Sequence, residues 1–408
     1  MKRRDLVKFG AASAAGLLLS LGKHAWAARG VTRGPRLVVM FLRGAVDGLN
    51  VVAPYAEADY YDYRPSIAIN RPGETDGLID LDGHFGLHPA LAPLLPLWQA
   101  RQLAFVHACG SPDPDRSHFE AQAYMETATP GIATTRSGWM NRLAAALHFE
   151  RAADTVAFGA TQPLITRGVA PTATFPVGQG AVRMKAMDRD PVQLAFDAVY
   201  ASDPRLSRVY REAIQSRSTL LAALNADMEN SAQGAPDPQG FSNDARRAAR
   251  MMAADPNLRL VFFQLGGWDT HVNQGAARGQ LANRLTPLGE ALAAFHNALG
   301  PVWNETVVLV ISEFGRTVHE NGNRGTDHGH GNVHWLLGGA VAGARIYGNW
   351  RGLSERALHA GRDLPVTTDF RSVIDLILAA HLGANTAVRQ QVLPGFTPDH
   401  KSITGLFV

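Results

Sequence analysis

Carboxylate and imidazole side chains gather in the last third of the chain in a pattern that suits a divalent metal ion. Asp269 and His271 follow the apolar run 258–265 (LRLVFFQL), and Glu313 follows the run 306–311 (TVVLVI). Asp327, His328 and His330 come next, in a stretch punctuated by Gly322, Gly325, Gly329 and Gly331. Mixed oxygen and nitrogen donors of this kind fit zinc, manganese or similar ions better than calcium or thiolate metals. A carboxylate directly after a buried run, as at Glu313, needs a cation, and either Arg316 or a metal supplies it. Metal-dependent hydrolysis with one or two ions is the leading expectation.

Such ligands need rigid supports, and the apolar runs read as buried strands. Open α/β sheets build their sites at the carboxyl ends of these strands. Residues 37–42 (LVVMFL) read as a first central strand that feeds the turn Arg43-Gly44-Ala45-Val46-Asp47-Gly48, where Asp47 either orders a glycine-flanked turn or ligates. Residues 103–107 read as a second strand, followed by a two-proline loop and Ser117-His118-Phe119-Glu120. Ser117 and Glu120 have the spacing of a capping box that opens a helix to about residue 127. A hydroxyl at a helix start is equally a place for a metal-activated nucleophile. His118 reads as a supporting group or a surface histidine.

Further helices are expected over 88–99, 277–299 and 369–382, a strand over 334–339, and a hairpin including 345–349. Strands alternating with helices predict an α/β three-layer sandwich, with a mostly parallel central sheet and helices on both faces. Between 151 and 255 the text changes. Helical stretches at 205–230 and 242–253 flank a Gly/Pro/Gln-rich segment at 231–240, which predicts a mainly helical insertion covering one side of the site.

The amino terminus carries Lys2-Arg3-Arg4, an apolar small-residue stretch over 9–21, and Ala25-Trp26-Ala27. Those are the charged, apolar and cleavage regions of a signal peptide, with the arginine pair of the twin-arginine type. The stretch falls short of the ~20 apolar residues that span a bilayer, so no stable membrane anchor is expected. The expectation is a periplasmic or secreted protein, passed by the twin-arginine translocase and cleaved near Ala27. The whole chain has net charge +3 and the segment +4, which leaves the remainder at −1. A near-neutral body gives no general electrostatic case for nucleic acid. The lone Cys109 excludes an internal disulfide and a cysteine-rich metal site.

The texts FLRGAVDGLN (41–50), DRSHFEAQ (115–122), GGWDTH (266–271), SEFGRT (312–317) and GTDHGHGN (325–332) resemble, in this order, the alkaline phosphatase-like superfamily. Within it the chain is similar to an uncharacterised family of twin-arginine-exported proteins. The superfamily also holds sulfatases, cofactor-independent phosphoglycerate mutases and nucleotide pyrophosphatases. The resemblance implies an alkaline phosphatase-like domain over 28–408 that hydrolyses phosphate or related oxyanion esters, of small molecules or polymers. It places Asp47 and a Ser117 nucleophile on one metal, and Asp269, His271 and His328 or His330 on the other. Glu313 and Asp327 complete the candidate metal ligands, and Arg43, Arg116 and Arg316 lie beside them to grip an oxyanion. Phe314 stands where the superfamily carries a histidine. Formylglycine-type sulfatase chemistry wants Cys-x-Pro-x-Arg, which residues 109–113 (CGSPD) do not supply, so a sulfuric ester hydrolase is a weaker alternative. An inactive exported binding or assembly protein that keeps the fold is the other.

Overall fold

The computed structural model describes residues 34–175 and 231–407. The export segment and the helix expected at 205–230 lie outside the described residues. The strands are β1 (Arg36–Leu42), β2 (Val52–Ala53), β3 (Ile79–Asp80), β4 (Gly86–Leu87), β5 (Leu103–Gly110) and β6 (Thr155–Phe158). They continue with β7 (Ala173–Phe175), β8 (Leu260–Leu265), β9 (Thr306–Ile311), β10 (Asn332–Gly338), β11 (Arg345–Tyr347) and β12 (Thr368–Asp369).

Nine of them form one sheet in the order β11-β5-β10-β9-β1-β8-β6-β7, with β12 also pairing β5. β1 pairs in parallel with β8 and β9, and β8 in parallel with β6. β10 runs antiparallel to both β9 and β5, so β5 points the same way as β1. The side-chain alternation of β1 shows both faces covered. Leu37, Val39 and Phe41 enter one core, and Val38, Met40 and Leu42 enter the other. Helices Phe241–Ala254 and Gln280–Leu299 close one face, and Trp139–Ala146 and Phe370–Leu376 the other. This is the expected three-layer α/β arrangement.

The long helix shows what holds such elements. Leu281, Leu285, Leu288, Leu292, Phe295 and Leu299 recur at helical spacing and are buried. Six such burials, at about 1.5–3 kcal/mol each, outweigh the roughly 3 kcal/mol set against the helix by Pro287 in its interior.

Three expectations change. Among the described residues of 151–255, the α-helix Phe241–Ala254 matches the stretch expected at 242–253, while 152–154 and 164–166 are short 3-10 segments and 155–158 and 173–175 join the sheet edge as β6 and β7. These strands of four and three residues are too short to show a period of two. Residues 345–347 form no hairpin but pair in parallel with β5. The helix expected at 88–99 begins as a 3-10 segment, Pro89–Leu94, with Pro93 in its interior lacking the N–H that an α-helix would bond to the Pro89 carbonyl.

Strand direction decides where the site falls. The segments after β1, β5, β8 and β9 all leave the carboxyl edge of the sheet. Because β10 runs the other way, the residues just before it, 327–331, arrive at that same edge.

Candidate metal centre

Four side chains meet above that edge. His118 opens the helix His118–Thr127, Asp269 and His271 follow β8, and His328 precedes β10. His118, Asp269 and His328 each bring one donor atom within 4.8 Å of the others. The Nε2 atoms of His118 and His328 are 2.9 Å apart. His271 Nε2 lies 3.0 Å from His328 Nε2 and 2.9 Å from Asp269 Oδ1.

The outer ring nitrogens fix the tautomers. His118 Nδ1 lies 2.7 Å from Glu313 Oε1, His271 Nδ1 3.2 Å from Asp327 Oδ1, and His328 Nδ1 3.1 Å from the Arg116 carbonyl. An ionised carboxylate or a carbonyl only accepts, so each Nδ1–H donates outward and each Nε2 lone pair points inward. Asp269 Oδ2 is fully buried and has no hydrogen-bond partner. A proton on His328 Nε2 can serve only one of its two imidazole neighbours, whereas a cation among His118, Asp269 and His328 would meet the inward atoms of that group, with His271 Nε2 at its edge.

Charge leads to the same place. Burial opposes the ionisation of Asp269, but Arg316 and the three histidines outweigh it and hold the carboxyl far below its usual range. Burial likewise opposes charge on Glu313, and His118 and Gln122 more than offset it. The hydrogen bond from His271 draws Asp327 down to about 2. Burial works against a charge on His118, yet Asp269 and Glu313 raise it to about 9, and Asp269 and Asp327 raise His271 against the same opposition. Burial lowers His328. With the imidazoles neutral, as ligation requires, three carboxylates (Asp269, Glu313, Asp327) against one guanidinium (Arg316) leave two negative charges, which either protons on His118 and His271 or one divalent ion would balance.

Local packing holds this arrangement. His118, Gln122 and Glu126 recur every four residues on one buried helix face. Gln122 Nε2 donates to Glu313 Oε1 at 2.8 Å and to the Ser231 carbonyl at 2.6 Å, and Gly44 N donates to Glu313 Oε1 at 2.8 Å. The His328 loop zips against 315–317: Gly315 N donates to the His330 carbonyl and Gly329 N to the Gly315 carbonyl, both at 2.8 Å. A Cβ on Gly315 would stand 1.8 Å from the Gly331 carbonyl oxygen, so only glycine permits this approach. Phe314 lines the His118 and His328 rings at 4.8 and 5.1 Å between centroids.

Several expected roles are redirected. Asp47 is fully buried, and Arg64 engages both its oxygens at 2.6 and 3.1 Å while Gln274 donates to one at 2.6 Å, so it stands outside the cluster as an ion-pair anchor. Glu313 and Asp327 orient histidines and are not in the converging group. His330 is also outside that group, and its ring packs on His359 at 4.8 Å. Arg316 is buried against Asp269 and donates to the Ala45, Thr326 and Gly44 carbonyls, which leaves it no reach to a substrate. Arg43 is likewise buried, on Glu126, Gln122 and Gln264. Arg116 stays accessible, with Nη2 donating to Asp363 at 2.5 Å. Ser117 occupies the N-cap position but its hydroxyl makes no cap bond, so the capping box does not form and the exposed hydroxyl stays uncommitted. Cys109 is buried in β5 with its sulfur 3.3 Å from His334 Nδ1, away from these ligands. His118 is a candidate ligand to which the sequence gives only a supporting or surface role. Its signal was the His-x3-Gln-x3-Glu stripe, too polar for a helix face that must be buried.

The chain belongs to the family described as "Protein of unknown function (DUF1501)", whose pattern matches residues 35–393. No curated protein matches the sequence. Among solved structures it is similar to the C-terminal periplasmic domain of EcEptC from Escherichia coli, at 11% identity and TM-score 0.42, covering 90% of this chain and 89% of that one. The same domain in complex with Zn matches at 10% identity and TM-score 0.38, with 76% and 74% covered. Ps i-CgsB in complex with k-i-k-neocarrahexaose matches at 10% identity and TM-score 0.40, with 89% and 74% covered. At such identities the reaction has to be argued from the site itself. Among the described residues no helix is long and apolar enough to cross a membrane.

Proposed function

We propose that this chain is a hydrolase of phosphate or related oxyanion esters that works with one divalent ion, zinc or manganese by donor type. His118, His271, His328 and Asp269 would hold the ion. The observation that carries this reading is the gathering of His118, His271 and His328 Nε2 around the buried Asp269 carboxylate, whose Oδ2 has no hydrogen-bond partner. Bound there, the ion supplies Lewis acidity and lowers the pKa of an adjacent hydroxyl. Ser117 precedes a ligand, is exposed, and has no capping duty, so it is the nucleophile of choice. The ordered motifs and the strand-end position of the cluster support a place in the alkaline phosphatase-like superfamily. The amino-terminal text supports export by the twin-arginine route, with cleavage near Ala27.

Elemental analysis of the purified chain should give about one zinc or manganese per molecule, and a panel of phosphate mono- and diesters should reveal turnover. Ser117→Ala should then keep metal and fold but lose several orders of magnitude in rate. No stoichiometric metal after reconstitution would end this reading. A near wild-type rate in Ser117→Ala would end the nucleophile assignment alone. Capture of Asp47 by Arg64, and Phe314 against the histidines, favour a second reading, a metal-holding exported binding protein. It predicts the metal without turnover.

A further inference from the structure

Beside the metal cluster lies a second polar group that ligation does not use. Arg116 is two residues before His118, and His330 two residues after His328, so both belong to segments already fixed at the centre. The Arg116 carbonyl accepts from His328 Nδ1 at 3.1 Å, while its guanidinium reaches across to Asp363. Asp363 is fully buried and supports Arg116 from below, with Arg362 Nη1 3.6 Å from its other oxygen. Arg116 Nε and Nη1 make no hydrogen bond to any described residue, and its side chain is 40% exposed. His330 is only 8% exposed, yet its ring makes no hydrogen bond to a described residue and stacks on exposed His359. The ring nitrogens of His330 still reach solvent, so they and the free guanidinium donors of neighbouring Arg116 are open to one outside partner. The available groups are mainly donors, and two guanidinium groups face one carboxylate. That composition selects an anion with several acceptor oxygens, which a planar guanidinium binds in pairs.

We infer that Arg116, His330 and His359 form an oxyanion subsite adjoining the metal centre, where the non-bridging oxygens of a phosphate group bind while Asp363 holds Arg116 in place. This rests on the ester hydrolase reading for its biological sense, but its binding chemistry is separable. Zinc-reconstituted full chain is titrated with inorganic phosphate by calorimetry. Arg116→Gln and His330→Phe, which keeps a ring against His359, should each weaken phosphate by about tenfold or more with zinc content unchanged. Arg324→Gln, an exposed arginine in the His328 loop, should leave the affinity within about twofold. Unchanged affinity in the first two variants overturns the subsite. So does an equal loss in Arg324→Gln, which would mean a general surface field, or a parallel loss of zinc, which would mean that these residues serve the ion. If the wild type binds no zinc, the metal reading fails by itself. Phosphate is then titrated on the metal-free chain, where the same pattern of variants upholds the subsite and its absence overturns it.

Discussion

Two candidate ligands at the cluster differ in what else they hold. Asp269 is fully buried and joined to Arg316, so Asp269→Asn removes a ligand charge and strands a buried guanidinium. Breaking one side of a buried pair costs roughly 3–5 kcal/mol, so this variant should lose metal and also unfold at clearly lower denaturant when metal-free. His328 is partly exposed and has a single outward bond, to the Arg116 carbonyl. His328→Ala should lose the metal while leaving metal-free stability within about 1 kcal/mol. Equal metal-free stabilities for the two variants would contradict the assigned roles. Glu313→Gln tests the outer contact. It keeps the side-chain shape but weakens the hold on His118, and zinc affinity by chelator competition should fall roughly 10–100-fold. At this scale the sequence exposed the donor types, and it missed which carboxylates ligate and which orient, because that depends on atoms tens to hundreds of residues apart.

The elements place these residues through close backbone approach. Gly315→Ala must push the 327–331 loop away and should lower stability by about 1–3 kcal/mol together with metal loss. Gly322→Ala, in the same connection but with nothing within 4 Å of the added Cβ, should change neither measurement. If both glycine variants behave alike in melting and metal analysis, the packed loop is not what positions His328. The strands β1, β8 and β9 were legible as continuous apolar runs because both faces of the sheet are covered. The β6 and β7 strands were not, since three or four residues carry no period. The direction of β10 was not legible either, and it alone brings the histidine loop to the right edge. The motif spacing found the loop without revealing how it gets there.

Across the molecule, three buried histidines outside the cluster contribute to its response to acid. Burial lowers His88 and His107 to about 4 and His334 to about 3. An unfolded histidine takes up its proton near 6.5, so between pH 6.5 and 4 the unfolded chain binds more protons than the folded one. Their contribution is whole above pH 6.5 and is lost as pH falls, on the order of 3 kcal/mol for each. Denaturant midpoints should drop steeply from pH 7 to 4.5, and His107→Phe should flatten that slope. An unaltered slope in His107→Phe would remove it from this account. The connectivity of the cluster has a kinetic side as well. His118 meets His328 across 210 residues, and His271 meets it across 57. No stretch of the chain short of residue 328 contains the set, and the closure entropy of such long loops is recovered only when the sheet is complete. Ion capture would therefore be a late event in folding, and the amount of tightly held metal in a preparation would count finished molecules.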